Sequence, residues 1–490
     1  MIEDLKRTIK QTSVYSLGNI LPKLVGFLLL PLYTDKLSTF EFGVLAILQA
    51  SSQILVGVFG FNIHTAMIRW LAIKEDENYR KSIVFTSAMS TLIVSLIMCV
   101  LFIPFSSSLS YLLFGHYRFN GFIILLVISS ALGIINNIPL NILRFQEQAI
   151  KYTLASVVKF IFILFFNFYF LLKLNLGING ILIAEINGGI ILIIQTSYHS
   201  SKHMNLTFNY NASKDMFAYG FPLIFSTAST LLLSLSDRYI LAYFLDESSV
   251  GIYSLGSKIA GFINVFIIQS FQLGFLPIAF KKLNDENAKR FFIKVFTYFN
   301  LLLIISALTL SIFNKEIITT FASRKEYWEA YSVIPLLSFA FVLKGSQYML
   351  SLGFHYTQKT SYNAYIVMIT AILNVVLNIL LIPLISLMGA AWAFFISSIL
   401  LLIITNFYSQ KLYPVKYEFR KIAKAFFLAM FLYLISSQLF FSQFYLTVII
   451  KLIILFAFPI LLYPVGFYEK IELEKLSSYL KKLFKIKTES

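Results

Sequence analysis

The sequence predicts an all-α polytopic membrane protein of about fourteen transmembrane helices, built as two parallel six-helix repeats plus two extra helices. Three observations lead there. Of 490 residues, 58% are apolar and only 13% charged, against the ~25% charged usual in soluble domains; mean hydropathy is +0.79. The apolar residues fall into runs of roughly 20, the length that crosses a bilayer core. Short landmarks also recur at a spacing near 209 residues. A soluble multidomain enzyme could not cover its surface with so few polar groups, and disorder, collagen-like repeats and coiled coil are excluded on composition.

The runs lie at 11–33, 42–64, 82–105, 119–142, 152–174, 177–197, 216–236, 250–279, 291–313, 332–354, 362–383, 387–408, 422–440 and 445–467, here numbered spans 1 to 14. They are read as helices because an isolated span must satisfy its own backbone hydrogen bonds. Edges between 187 and 245 are blurred by Ser, Thr and Asn. The charged stretch Met1–Lys10 enters span 1 without a small-residue cleavage site, which reads as a retained helix rather than a signal peptide. Alternating the loops puts 28 Lys and Arg on the side of both termini and six on the other, with six inside spans. The positive-inside rule then makes both termini cytoplasmic. The net charge of +17 flanks the spans and does not call for nucleic acid. Cys99 is alone and the five His show no ligand spacing, so neither disulfide nor metal is expected. From Tyr468 the tail spaces Ile471, Leu476, Leu480, Leu483 and Phe484 among six lysines, as in an amphipathic helix on an anionic leaflet.

Self-comparison pairs Phe42-Gly43-Val44 with Val250-Gly251-Ile252, Asp76-Glu77-Asn78 with Asp285-Glu286-Asn287, Gln148-x-x-Lys151-Tyr152 with Gln358-x-x-Ser361-Tyr362, and Gly180 with Gly389, at offsets of 208 to 210. Span 1 maps onto span 7 and span 6 onto span 12. Because six is even, the copies share one orientation, a transporter architecture in which substrate sits between halves that rock against each other. The expected divisions are 1–210 (spans 1–6), 211–410 (spans 7–12), 411–467 (spans 13–14) and 468–490 (tail).

Polar residues recur at helical spacing in several spans: Asn19 and Lys23 in span 1, Gln49 and Gln53 in span 2, Lys258 in span 8, Lys344 in span 10. Helix–helix packing explains small residues and many hydroxyls. It explains charges less well, since insertion scales put a central charge at roughly +2.5 to +3.5 kcal/mol. Lys23, Lys258 and Lys344 are therefore assigned to a cavity, with Lys159 also intramembrane and Arg69 and Arg144 at a cytoplasmic mouth. Arg238 and Lys451 lie where snorkelling or, for Arg238, pairing with Asp237 would serve. The deep lysines are not duplicated by the repeat, which favours function over scaffold. Glu185 and Asp237 are candidates for coupling to protons or sodium. Pro22 and Pro31, with Gly220 and Pro222, offer bending points in the first helix of each half. A net-positive cavity at low dielectric attracts anions, so the cargo is expected to carry negative charge.

Val250-Gly251-Ile252-Tyr253-Ser254-Leu255-Gly256-Ser257-Lys258-Ile259-Ala260, Leu143-Arg144-Phe145-Gln146 and Gly177-Ile178-Asn179-Gly180, with the spans and the repeat, resemble the multidrug/oligosaccharidyl-lipid/polysaccharide exporter superfamily. The chain is most similar to its polysaccharide biosynthesis branch. The resemblance implies V-shaped bundles around a cationic lumen working by alternating access, flipping undecaprenyl-pyrophosphate-linked O-antigen or capsule repeat units supplied by glycosyltransferases and passed to a polymerase. By span, it places Lys23 and Lys258 where relatives are thought to meet the pyrophosphate. Drug exporters of the superfamily typically carry an acid in span 1, where this chain has only Asp35 at the outer end. Two other readings stay open: a cation-coupled small-molecule exporter, and a membrane-embedded polymerase or acyltransferase, for which no acidic or His cluster and no sizeable outer loop is found. No cofactor is expected.

Overall fold

A computed structural model describes residues 26–282, 285, 287–439, 443–469 and 474. Asn19, Pro22, Lys23 and nearly all of the proposed amphipathic tail lie outside the described residues. Among those described, ten helices are long and apolar enough to cross a membrane, eleven if the bent pair Lys325–Ser332 and Ile334–Tyr356 is one span. These eleven are spans 2 to 12. Phe419–Gln438 and Phe444–Leu461 form the hairpin of spans 13 and 14, and Leu30–Lys36 is the outer end of span 1. The fold is all-helical, consistent with fourteen spans.

Helix edges move outward where polar residues still favour a helix. Span 7 runs from Tyr210 to Phe244 through Pro222, and it starts early because Asn209, seven residues before the apolar run, caps it by accepting from Ala212 N–H. The missing Cβ of Gly220 admits the Phe61 carbonyl, which would stand 1.9 Å from such an atom. Pro31 sits in the first turn of Leu30–Lys36, just after a break at Leu29, where its absent N–H costs nothing. Spans 2 and 8 are interrupted at matching depth. Span 2 breaks at Gly60-Phe61-Asn62, with left-handed φ at Phe61 and Asn62; span 8 widens into a π-helix over Ile263–Ile268.

The repeat is visible in backbone detail. Ser38 caps span 2 in a capping box with Glu41, and Asp246, 208 residues on, caps span 8 through Ser249 N–H. The turns after spans 4 and 10 both use a left-handed residue, Glu147 and Gln358. That pairing is offset by 211, one residue from the sequence match of Gln148 with Gln358. Gly180 and Gly389 each let the end of the preceding span approach closely.

The described parts of the first helix of each half also touch the opposite half. The start of span 7 buries Ala212 and Met216 against Ile63, Met67 and Ile83 of spans 2 and 3, and only further along does Leu233 join Ile366 and Leu401 of spans 11 and 12. Phe27 of span 1 packs edge-on against Phe262 and Phe266 of span 8, at 5.6 and 5.5 Å.

Candidate substrate site between the two halves

At the end predicted to face outward, spans 2 and 8 cross at backbone contact. A Cβ on Gly43 would lie 1.7 Å from the Glu247 carbonyl, and one on Gly251 2.1 Å from that of Thr39. Glycine is the residue that permits this approach. The loop between spans 9 and 10 latches the same end. Tyr327 donates to the Leu37 and Ser38 carbonyls (3.1 and 2.8 Å), Arg324 Nε to the Asp35 carbonyl (3.0 Å), and Thr34 to the Phe321 carbonyl (2.6 Å). Asp35 itself pairs with Lys36, so it is a surface acid of this latch.

Behind the seal lies Lys258, two turns into the span that Gly251 opens. Its Nζ donates to Gln49 Oε1 across the interface at 3.2 Å and stands 4.8 Å from the Phe42 ring. Gln49 also hydrogen-bonds Glu185 of span 6, whose carboxylate feels Lys159 of span 5 and Lys258 and accepts from Ser129 at 3.4 Å. Lys159, Glu185, Gln49 and Lys258 therefore form one polar chain from the first half into the second. All four are half-buried. Ser129, Phe42 and Arg238, which acts electrostatically on Lys258, belong to the same neighbourhood; the first two were not singled out from sequence, and Arg238 was read only as a snorkelling or paired charge. Ser129 is one hydroxyl in an apolar run, and only the fold turns it toward Glu185.

The other candidates sit elsewhere. Gln53 bonds the Gln49 carbonyl one turn below. Lys344 is half-buried beside the Phe394 ring of span 12, 5.8 Å away, within the second half. Arg69 lies over Tyr219 at 4.5 Å, and Arg144 reaches Asn141 at 3.5 Å; both are exposed at the end predicted to be cytoplasmic. Asp237 is held by Arg238 Nη1 at 2.9 Å and by Tyr253, which accounts for Arg238. Lys451 does not snorkel: its Nζ meets both oxygens of Glu316 at 2.7 and 2.8 Å.

With this geometry in place, comparison decides the family. The model of a family described as "Polysaccharide biosynthesis protein" matches residues 8–282, more than half of the chain. The chain belongs to that family. It thereby falls in the polysaccharide biosynthesis branch of the multidrug/oligosaccharidyl-lipid/polysaccharide exporter superfamily, and the MatE model also matches residues 222–380. An uncharacterized membrane protein of Haemophilus influenzae is 26% identical over 57% of this chain and 67% of its own length. The capsular polysaccharide biosynthesis protein CapF of Staphylococcus aureus is 26% identical over 44% of this chain, and the match spans only 56% of that protein. Among solved structures, the lipid II flippase MurJ in an inward closed conformation has a TM-score of 0.71 at 14% identity, covering 95% of this chain and 99% of that one. The shared fold is thus that of a multi-pass membrane transporter superfamily.

Proposed function

We propose that the protein is an alternating-access flippase that moves an undecaprenyl-pyrophosphate-linked oligosaccharide repeat unit from the inner to the outer leaflet of the cytoplasmic membrane. The observation that carries this reading is Lys258: an intramembrane ammonium placed between the halves, behind a glycine seal, and held by a neutral amide. An amide takes one N–H of an ammonium without cancelling its charge. Lysine is a compact point charge suited to phosphate, and at low local dielectric that charge acts strongly. Lys23 is proposed to join it from span 1. Glu185, linked to both Lys159 and Lys258, is the acid proposed for coupling to a proton or sodium gradient.

On this reading the two halves hold the outer end shut through Gly43 and Gly251 while the head group enters from the cytoplasmic end, and the contacts of Asp35, Ser38 and Tyr327 break as it leaves. The family description and the names of CapF and MurJ support a role in envelope glycan assembly. Glycosyltransferases and a polymerase of the same pathway are the proposed partners.

The test is reconstitution with a fluorescent lipid-linked oligosaccharide in liposomes. The wild-type protein should flip it, and Lys258→Ala combined with Lys23→Ala should not, at equal insertion. Flipping by the double variant at the wild-type rate would remove the site assignment. The MatE match favours export of small organic molecules as the second reading. Protection of an export-deficient strain from cationic drugs would support that reading against ours.

A further inference from the structure

We propose a second site, separate from the cleft: the outward ends of spans 9, 10, 13 and 14 enclose a binding pocket for a phosphate group, of which the headgroup of an anionic outer-leaflet lipid is the nearest source. A cavity of about 260 Å³ opens there, lined by Lys315, Glu316, Tyr331, Tyr433, Ser436 and Lys451 among others. Buried Lys451 and half-buried Glu316 pair there, both carboxylate oxygens being engaged by the one ammonium. An ammonium carries three donors, so Lys451 keeps one, while Glu316, the only acid among the described lining residues, already accepts from it. Lys315 lies above the Tyr331 ring at 5.2 Å. The Tyr331 and Tyr433 hydroxyls have no hydrogen-bond partner among the described residues. The lining thus offers ammonium and hydroxyl donors and is net positive by one charge among its described residues, which suits phosphate oxygens.

Two further points separate this from an anchoring pair. A buried ion pair is no more stabilising than well-packed apolar side chains, so stability alone does not call for one beside a polar void large enough to hold a small group. The repeat supplies a control as well. The short outer helix Asn314–Phe321 reads NKEIITTF, whereas its counterpart 208 residues earlier, Ser106–Phe114, reads SSSLSYLLF without a charge. Charges here are not a requirement of the duplicated scaffold; they accompany spans 13 and 14, which only the second half has. The pocket lies at helix ends beside the predicted outer interface, the level at which bilayer phosphates stand.

The experiment compares full-length wild type with Lys315→Gln/Tyr433→Phe, both purified in neutral detergent. Retention and re-binding of phosphatidylglycerol, of phosphatidylcholine and of inorganic phosphate are read by native mass spectrometry and thermal shift. Melting of the variant without added lipid at the wild-type temperature establishes that it is folded. A variant that melts lower is replaced by Tyr433→Phe alone. Phosphatidylglycerol should bind the wild type about tenfold more tightly than the variant, the size of one lost charge-assisted hydrogen bond. The same difference seen with inorganic phosphate alone keeps the phosphate site and assigns it to a soluble ligand. Equal binding of every probe by folded variant and wild type overturns the proposal. A normal flipping rate in the variant bears on neither outcome, so this site and the cleft fail separately.

Discussion

Lys258 and Lys451 are both lysines embedded in apolar helices, and the fold treats them in opposite ways. Lys451 is buried, 7% exposed, and clamped by a carboxylate. Lys258 is half-buried, faces the opposite half, and is shared with an amide and an aromatic ring. A charge cancelled by an acid holds two helices together. A charge held by a neutral amide at the junction of the two halves is available to a ligand. The difference teaches that the informative feature of an intramembrane lysine is its partner.

Exchanging the two lysines for methionine breaks the comparison most directly. Lys258→Met should lower flipping about 10- to 100-fold, the worth of one or two charged contacts to phosphate, while the melting temperature holds or rises. Lys451→Met should instead unfold the protein more readily, by about 1 to 3 kcal/mol, because the half-buried Glu316 loses its ammonium partner. Thermal melts of the two variants separate them; a larger loss of stability at Lys258 would reverse the assignment. Lys451→Met with Glu316→Met should recover most of the lost stability, since two apolar side chains can replace a buried pair. A double variant no more stable than Lys451→Met would show that the pair does more than satisfy itself.

Gln49→Leu sharpens the other side. It removes the cross-interface acceptor but not the charge, so about 1 kcal/mol of positioning is lost and the flipping rate should fall severalfold, less than for Lys258→Met. An equal fall would make the amide, rather than the ammonium, the essential group.

The smallest effect concerns the end of the hairpin predicted to be cytoplasmic, at a carboxylate outside the spans. A hydrogen bond from Lys294, together with its charge, holds the Glu469 carboxyl below its ordinary value of 4.5. A depressed carboxylate contributes stability above its unfolded pKa and loses it as pH falls through the folded value. Melting temperature should therefore drop on acidification below about pH 4.5, and Glu469→Gln should flatten that slope. The group is 37% exposed, so screening keeps the effect small.

Composition and run length made the all-helical membrane class and the spans legible, because a bilayer admits few alternatives. The repeat was legible through glycines: Gly43 and Gly251 matched in sequence because both stand where two backbones touch. Lys258 was legible as a deep charge. Gln49 and Glu185 were legible as polar residues inside spans, but their meeting with Lys258 was not, since Gln49, Glu185 and Ser129 come from three different helices and only packing brings them to one place. Span 7 was read short because its polar first turns look like loop, though Asn209 caps them. Lys451 could not be sorted from sequence either, for Glu316 lies 135 residues away.

The central claim is that the outer seal must open for each transport cycle. Its most direct measurement is flipping by a Cys99→Ala protein carrying Asp35→Cys and Arg324→Cys, two exposed positions whose backbone and side chain now meet at 3.0 Å. Before treatment the rate should stay near that of Cys99→Ala alone. A short reducible bis-thiol linker should stop flipping, and reductant should restore it. Undiminished flipping with the two cysteines fully bridged would contradict the account.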